Sequence, residues 1–170
     1  MANDGILTLL SCLEVLRPAF TAPGFRNAIV LFTGFVRTNR THAVTQALVE
    51  TDVARRRHHE AFHRFFSRGT WSPDEVGRLL LLAILPMLQA DDPIRLVVDD
   101  TLAHKKGPHV FGIGSRIDAV RSTRCFKVFA FGHVWVVLAV LVQVPFSSRP
   151  WALPVLLRLN RNQKECLAKG

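Results

Sequence analysis

Cysteine is scarce in this sequence of 170 residues, which contains only Cys12, Cys125 and Cys166. The three cysteines lie far apart, show no CxxC spacing and are odd in number. A disulfide framework needs cysteine pairs and a zinc knuckle needs closely spaced ligands, so neither is predicted. The pattern is typical of a protein that folds in a reducing cytosol.

Acidic residues are also few, with 13 Asp and Glu against 22 Lys and Arg and a formal net charge of +9. This excess favours a polyanionic partner, of which nucleic acid is the commonest, although a membrane surface attracts the same sign of charge. Hydrophobic residues make up 49% of the chain. That share is enough to build a core in one ordinary domain or two small ones, and it excludes a disordered tail.

The sequence has no predicted signal peptide, because its first residues carry Asp4 and no basic stretch, and no small-residue cleavage site follows. Residues 128–148 contain no charged side chain and are long enough to span a bilayer. Their Val-rich and aromatic texture, interrupted by Gly132 and Pro145, suits two buried strands better. A membrane helix stays as the alternative.

Helical periodicity and capping residues predict five helices in the first half of the chain, with Thr41, Asp52 and Ser72 as N-caps. The predicted helices run over Ile6–Leu16, Gly24–Val36, Thr41–Val49, Asp52–Phe66 and from Ser72 to near Pro86. The last one has the strongest start signal, because Pro73 stands in its first turn and Glu75 three residues beyond Ser72.

The residue pattern becomes typical of β-strands after a turn at residues 91–93. A buried strand is predicted over Ile94–Val98, ending in Asp99, Asp100 and Thr101. A polar, basic loop follows to Arg124, and then two strands, Phe126–Phe131 and Val134–Val144, joined near Gly132. The predicted class is therefore α+β, with a helical region over residues 1–90, a sheet region over residues 91–170 and a boundary near Ala90.

A carboxylate at the end of a buried strand is held rigidly yet stays accessible, which suits a hard cation such as Mg2+. Asp100 is the candidate ligand. The alternative is that Asp99 and Asp100 only end a strand and cap a turn.

Two basic regions are candidates for phosphate contact. The first is one face of the predicted fourth helix, and its residues are Arg55, Arg56, Arg57, His63 and Arg64. The second follows Asp100 in the chain, and its residues are Lys105, Lys106, Arg116, Arg121, Arg124 and Lys127. The third and fourth predicted helices also have helix-turn-helix spacing, which is a weak pattern. A solvated charged face is the alternative for the first region.

The stretch VVDDTLAHKKG at residues 97–107, followed by residues 116–159, resembles the opening of the catalytic domain of DDE endonuclease-type transposases from bacterial insertion sequences. Residues 41–81 are similar to the helical N-terminal region with which these transposases hold element DNA. The resemblance implies an RNase H-like core whose first catalytic aspartate is Asp100, with Asp99 as the fallback, because the family motif has the aspartate directly before Thr. It also implies Mg2+-dependent cleavage and transfer of DNA strands in the intact parent.

The resemblance further implies a second aspartate on a later strand and a glutamate on a later helix. After Thr101 the only acidic residues are Asp118, inside the basic loop, and Glu165, near the end. We therefore expect a truncated or frameshifted copy that binds DNA weakly, does not cut it alone and does not hold Mg2+ tightly. The incomplete sheet should expose an edge and an apolar face.

The expected partners are DNA at element ends, an intact transposase copy or a second copy of this chain, with no small-molecule substrate. The resemblance implies a location in the bacterial cytoplasm, at the nucleoid. Two other functions stay open, a DNA-binding regulator of an intact transposase and a small membrane protein built round residues 128–148.

Overall fold

The computed structural model describes residues 2–39, 41–88, 93–107 and 110–161, with side chains from Thr8 onward. The chain forms two compact units, Met1–Ala83 and Ile84–Gly170. The first holds helices and the second an antiparallel sheet, so the predicted α+β class is confirmed. The predicted boundary at Ala90 and the turn at residues 91 and 92 lie outside the described residues.

Within the described residues, five α-helices occupy the first part of the chain, and two short 3-10 turns, Arg17–Ala19 and Leu85–Met87, follow the first and the last of them. The helices are α1 (Ala2–Glu14), α2 (Ala22–Arg37), α3 (Val44–Glu50), α4 (Glu60–Ser67) and α5 (Pro73–Ile84). At the start of α5 the Ser72 hydroxyl accepts the N–H of Glu75 at 3.5 Å, which confirms the predicted start.

The core of the first unit lies where α2, α3 and α4 meet. Its buried side chains are Ala28, Leu31, Ala47, Leu48, Phe62 and Phe65. Gly34 of α2 touches the backbone of Ala47 so closely that an added methyl group would overlap the Ala47 carbonyl. Glycine at this position therefore sets the spacing between α2 and α3.

The predicted fourth helix over Asp52–Phe66 is wrong in its first half. Asp52 has a left-handed φ of 56°. The N–H groups of Asp52 and Val53 donate to the carbonyls of Val49 at 3.1 Å and Leu48 at 3.0 Å, which is the Schellman pattern that ends a helix. Asp52 thus terminates α3 instead of capping α4, and residues 51–59 form turns.

This correction removes two predicted features. Arg55, Arg56 and Arg57 lie in the turn segment and share no helix face with Arg64. A helix-turn-helix motif joins its helices by a turn of about three or four residues, and residues 51–59 are too long for that turn. The predicted cap at Thr41 is also wrong, because α3 begins after Ala43 and no side chain caps it.

The described part of the second unit forms a four-stranded antiparallel sheet with β3 at its centre. Its strands are β1 (Leu96–His104), β2 (Gly114–Ile117), β3 (Phe129–Val142) and β4 (Trp151–Asn160). β1 pairs with one side of β3. β2 and β4 pair with the opposite side, along successive stretches of β3. β1 is therefore an edge strand within the described residues.

Two predictions about these strands are wrong. β1 does not end at Asp99 and Asp100 but continues to His104, and it is exposed instead of buried, with Val98 at 65%. The two strands predicted over residues 126–144 are one continuous strand. Gly132 makes no turn, because it pairs with β1 and β2 at the same time and an added methyl group would overlap the Ala103 carbonyl.

The bilayer-spanning alternative for residues 128–148 is not favoured, because most of this segment is β3. None of the helices in the described part of the chain is long and apolar enough to cross a membrane.

Candidate active site

Asp99 and Asp100 lie on opposite faces of the sheet, because side chains alternate along a strand. Asp100 stands opposite Val136 of β3, and Asp99 stands opposite Val137. The Asp99 carboxylate accepts the backbone N–H of Asp100 at 2.8 Å. Asp100 instead lines a cavity of about 420 Å³.

The face that carries Asp100 also carries basic side chains. Residues directly opposite each other in antiparallel strands share a face, so the register places His104 of β1, Arg116 of β2 and Arg158 of β4 on this side. Arg158 stands across β3 from Asp100, since both are opposite Val136. We call this side of the sheet the Asp100 face.

The cavity has an apolar floor and a wall of mixed polarity. Leu102 and Val134, which are opposite each other on the Asp100 face, supply the floor. The wall is supplied by residues 117–121, the end of β2 and the turn after it. This turn brings Asp118 and Arg121 to the same cavity as Asp100.

Asp118 is the buried acid of this site, with 5% of its side chain exposed. Its Oδ1 accepts the backbone N–H groups of Val120 and Arg121, both at 3.1 Å, and so shapes the turn. Its Oδ2 lies 3.5 Å from His104 Nε2 and 3.6 Å from Arg121 Nε. Sequence reasoning set Asp118 aside as a loop residue, because β2 was not predicted.

The donor atoms of the cavity suit a hard divalent cation. Carboxylate oxygens are the ligands that Mg2+ prefers, and Mg2+ usually keeps several water molecules. Asp118 Oδ2 is buried and has no hydrogen-bond partner in the described part of the chain, and its nearest charged neighbours are His104 Nε2 at 3.5 Å and Arg121 Nε at 3.6 Å. Among the described residues, no group of three or more His, Cys, Asp and Glu side chains is spaced to hold a metal ion. An ion at this cavity would have to keep several of its water molecules as ligands.

Two residues of the second predicted basic region, Arg116 and Arg121, lie at the site. Arg121 lines the cavity and Arg116 lies on the Asp100 face, where its Nη2 donates to the Asn160 carbonyl at 3.4 Å. The remaining residues are exposed and lie outside the strands, and they are Lys105, Lys106, Arg124 and Lys127. Their contact with DNA stays a prediction.

The first predicted basic region is exposed, but several of its side chains have partners within the chain. Arg57 donates to Asn27 Oδ1 at 2.9 Å and lies 4.9 Å over the Phe62 ring. Arg64 pairs with Glu60 at 2.6 Å, and Arg56 with Asp52 at 3.9 Å. Exposed pairs of this kind exchange readily with solvent, so these arginines stay accessible to phosphate.

The imidazole of His63 meets the ring of His59 edge-on at 5.7 Å. His63 lies on α4 and Arg55 lies in the turn segment before it, and both are exposed. Phosphate contact by either residue stays a prediction.

Residues 15–169 match the protein family described as DDE superfamily endonuclease. No curated protein and no solved structure matches the chain.

Proposed function

The chain belongs to the DDE superfamily endonuclease family, and from that premise we propose that it serves DNA transposition. In this proposal the chain binds DNA, and Asp100 is the first metal carboxylate for strand cleavage and transfer in the complete parent. The observation that carries the proposal is the position of Asp100, which borders a cavity on a sheet face that also carries Arg116 and Arg158.

The charges of this face fit the backbone of a nucleic acid. The guanidinium groups of Arg116, Arg121 and Arg158 can neutralise phosphates, a contact that fixes a strand without reading its sequence. Mg2+, when bound, supplies the charge that activates the attacking oxygen and stabilises the leaving one. Asp100 would hold that ion, while the arginines would hold the DNA strand.

We propose that this chain alone binds DNA and does not cut it. Two-metal chemistry needs several converging carboxylates, and the described cavity offers only Asp100 and Asp118. The natural target would be the ends of a bacterial insertion sequence, in the cytoplasm at the nucleoid. The VVDDTLAHKKG stretch is the support for that origin.

The DNA-binding half is tested by titrating a fluorescent duplex with the purified chain at several salt concentrations, with EDTA present. Binding should weaken steeply with salt, and Arg158→Ala or Lys105→Ala should each reduce the log–log slope by about 1. Arg78→Ala is the matched control, because Arg78 lies on α5, outside both predicted basic regions. Tight binding that does not change between low and moderate salt would contradict the proposal.

The metal-binding part of the proposal is tested by titrating the chain with Mn2+. This ion takes the same oxygen ligands as Mg2+ and is visible by electron paramagnetic resonance. Asp100→Asn should weaken binding, and Asp99→Asn, on the opposite face, should not. Equal losses in both variants would assign the effect to general charge and remove Asp100 from the metal site.

A second candidate function is regulation by pairing with another copy, either of this chain or of an intact transposase. The specific observation is β1, which has one unpaired edge within the described residues and exposes Leu96, Val97 and Val98. An exposed apolar edge strand is a template for strand addition. Pairing at β1 would bring the partner beside Asp100.

A further inference from the structure

Resting on the function proposed above, we infer that Asp118 is a second carboxylate of the divalent-cation site, acting across the cavity from Asp100. The resemblance to DDE transposases assigns no role to this residue. It follows β2 directly, so its place on the Asp100 face depends on the pairing of β2 with β3.

The two carboxylate oxygens of Asp118 differ in what they contact. Oδ1 is occupied by the N–H groups of Val120 and Arg121, which accounts for a structural role in the turn. Oδ2 is buried and has no hydrogen-bond partner within the described ranges. A turn-forming aspartate needs only one oxygen, so the turn gives no reason for the second to be buried without a hydrogen-bond partner.

The groups near Oδ2 leave it incompletely compensated. His104 Nε2 is 3.5 Å away and Arg121 Nε is 3.6 Å away, both beyond good hydrogen-bond length. A buried carboxylate without full compensation is costly. A cation in the cavity would give Oδ2 a closer positive partner.

The cavity has room for an ion with its water molecules. Its volume is about 420 Å³, and one water molecule occupies roughly 30 Å³ of liquid. An ion held by two carboxylates and otherwise by water binds weakly, with a dissociation constant on the order of 1 mM. The Arg121 side chain is 69% exposed, so its guanidinium can move into solvent when an ion arrives.

The rival explanation is that Asp118 only shapes the turn and pairs with Arg121. Asp118→Asn separates the two, because the amide oxygen can still accept the turn N–H groups while the charge is lost. We expect Mn2+ binding to weaken by about 10- to 100-fold, and Asp118→Ser, whose hydroxyl can also accept a turn N–H, to do the same. Unchanged binding in both variants overturns the inference.

Arg121→Ala gives a test that unfolding cannot mimic, because it predicts a gain. The guanidinium competes with a cation for Oδ2, so its removal should tighten Mn2+ binding several-fold, on the order of what one nearby charge contributes. The gain should disappear when Arg121→Ala is combined with Asp118→Asn. Equal affinities of Arg121→Ala and the unmodified chain would count against the inference.

The outcomes also separate this inference from the proposed function. Loss of Mn2+ binding in Asp100→Asn alone would keep Asp100 and remove Asp118. Loss in Asp118→Asn alone would support Asp118 and remove Asp100. An unmodified chain that binds no Mn2+ at millimolar concentration overturns the role of Asp118, while the salt titration with DNA still decides the binding function.

Discussion

Asp99 and Asp100 are consecutive in the chain, yet they lie on opposite faces of the sheet, opposite Val137 and Val136 of β3. Only Asp100 borders the cavity that also contains Asp118 and Arg121. The Asp99 carboxylate is used locally, by the N–H of Asp100. The two acids are therefore not interchangeable, although the sequence alone left both as candidates.

This difference predicts that Asp100→Asn and Asp99→Asn respond differently when DNA binding is measured with and without divalent cations. Without them the Asp100 carboxylate repels phosphate, so Asp100→Asn should strengthen binding roughly twofold, as expected for one charge several ångströms away in water. With Mg2+ in excess the unmodified chain should gain affinity and Asp100→Asn should not. Anisotropy titrations in EDTA and in Mg2+ check this, with Asp99→Asn as control. Identical responses of the two variants would refute it.

The left-handed φ of Asp52 predicts that substitution by glycine stabilises the protein. A non-glycine residue with left-handed φ is strained by about 1 kcal/mol, so Asp52→Gly should raise the free energy of unfolding by a few tenths to about 1 kcal/mol. Asp52→Val should lower it by a similar amount or more. Urea unfolding checks both variants. If Asp52 capped a helix instead, glycine would be neutral or unfavourable.

The helix starts that sequence predicted well are those set by local chemistry, as at Ser72, where the hydroxyl and the following proline act within one turn. Asp52 was read in the same way and the prediction was wrong. Asp favours both N-caps and left-handed turns. The left-handed turn at Asp52 is accompanied by packing of the next residue, Val53, against the core of the first unit. That contact is tertiary and leaves no local signal.

The sheet shows the same limit. Gly132 signals a turn in sequence, but here it allows three strands to approach closely, with partners His104 and Gly114. Because β2 was not predicted, the sequence could not assign Asp118 to a face of the sheet or name the residues around it. Asp100 could be chosen from its motif, while Arg158 and Asp118 could be placed beside it only by strand register.

The exposed edge of β1 predicts self-association. Val98 is 65% exposed and lies on the Asp100 face of the edge strand. Val98→Lys places a charge on that edge, which opposes strand addition, so the apparent mass in light scattering after size exclusion should fall toward that of one chain. Val120→Lys is a control of equal charge, because Val120 is 96% exposed and lies in a turn. The same reduction in both variants would show that net charge, not the β1 edge, governs association.

Gly34 tests the packing of the first unit. By helix propensity alone, Gly→Ala inside α2 should stabilise the protein by roughly 0.5 to 1 kcal/mol. The methyl group would instead overlap the carbonyl of Ala47 on α3, and overpacking of this kind costs about 1 to 3 kcal/mol. We therefore expect Gly34→Ala to lower the free energy of unfolding, as measured by urea titration. Thr45→Ala, at an exposed position on α3, should change it by less than about 0.5 kcal/mol. Stabilisation by Gly34→Ala would mean that α2 and α3 are not in close contact at this point.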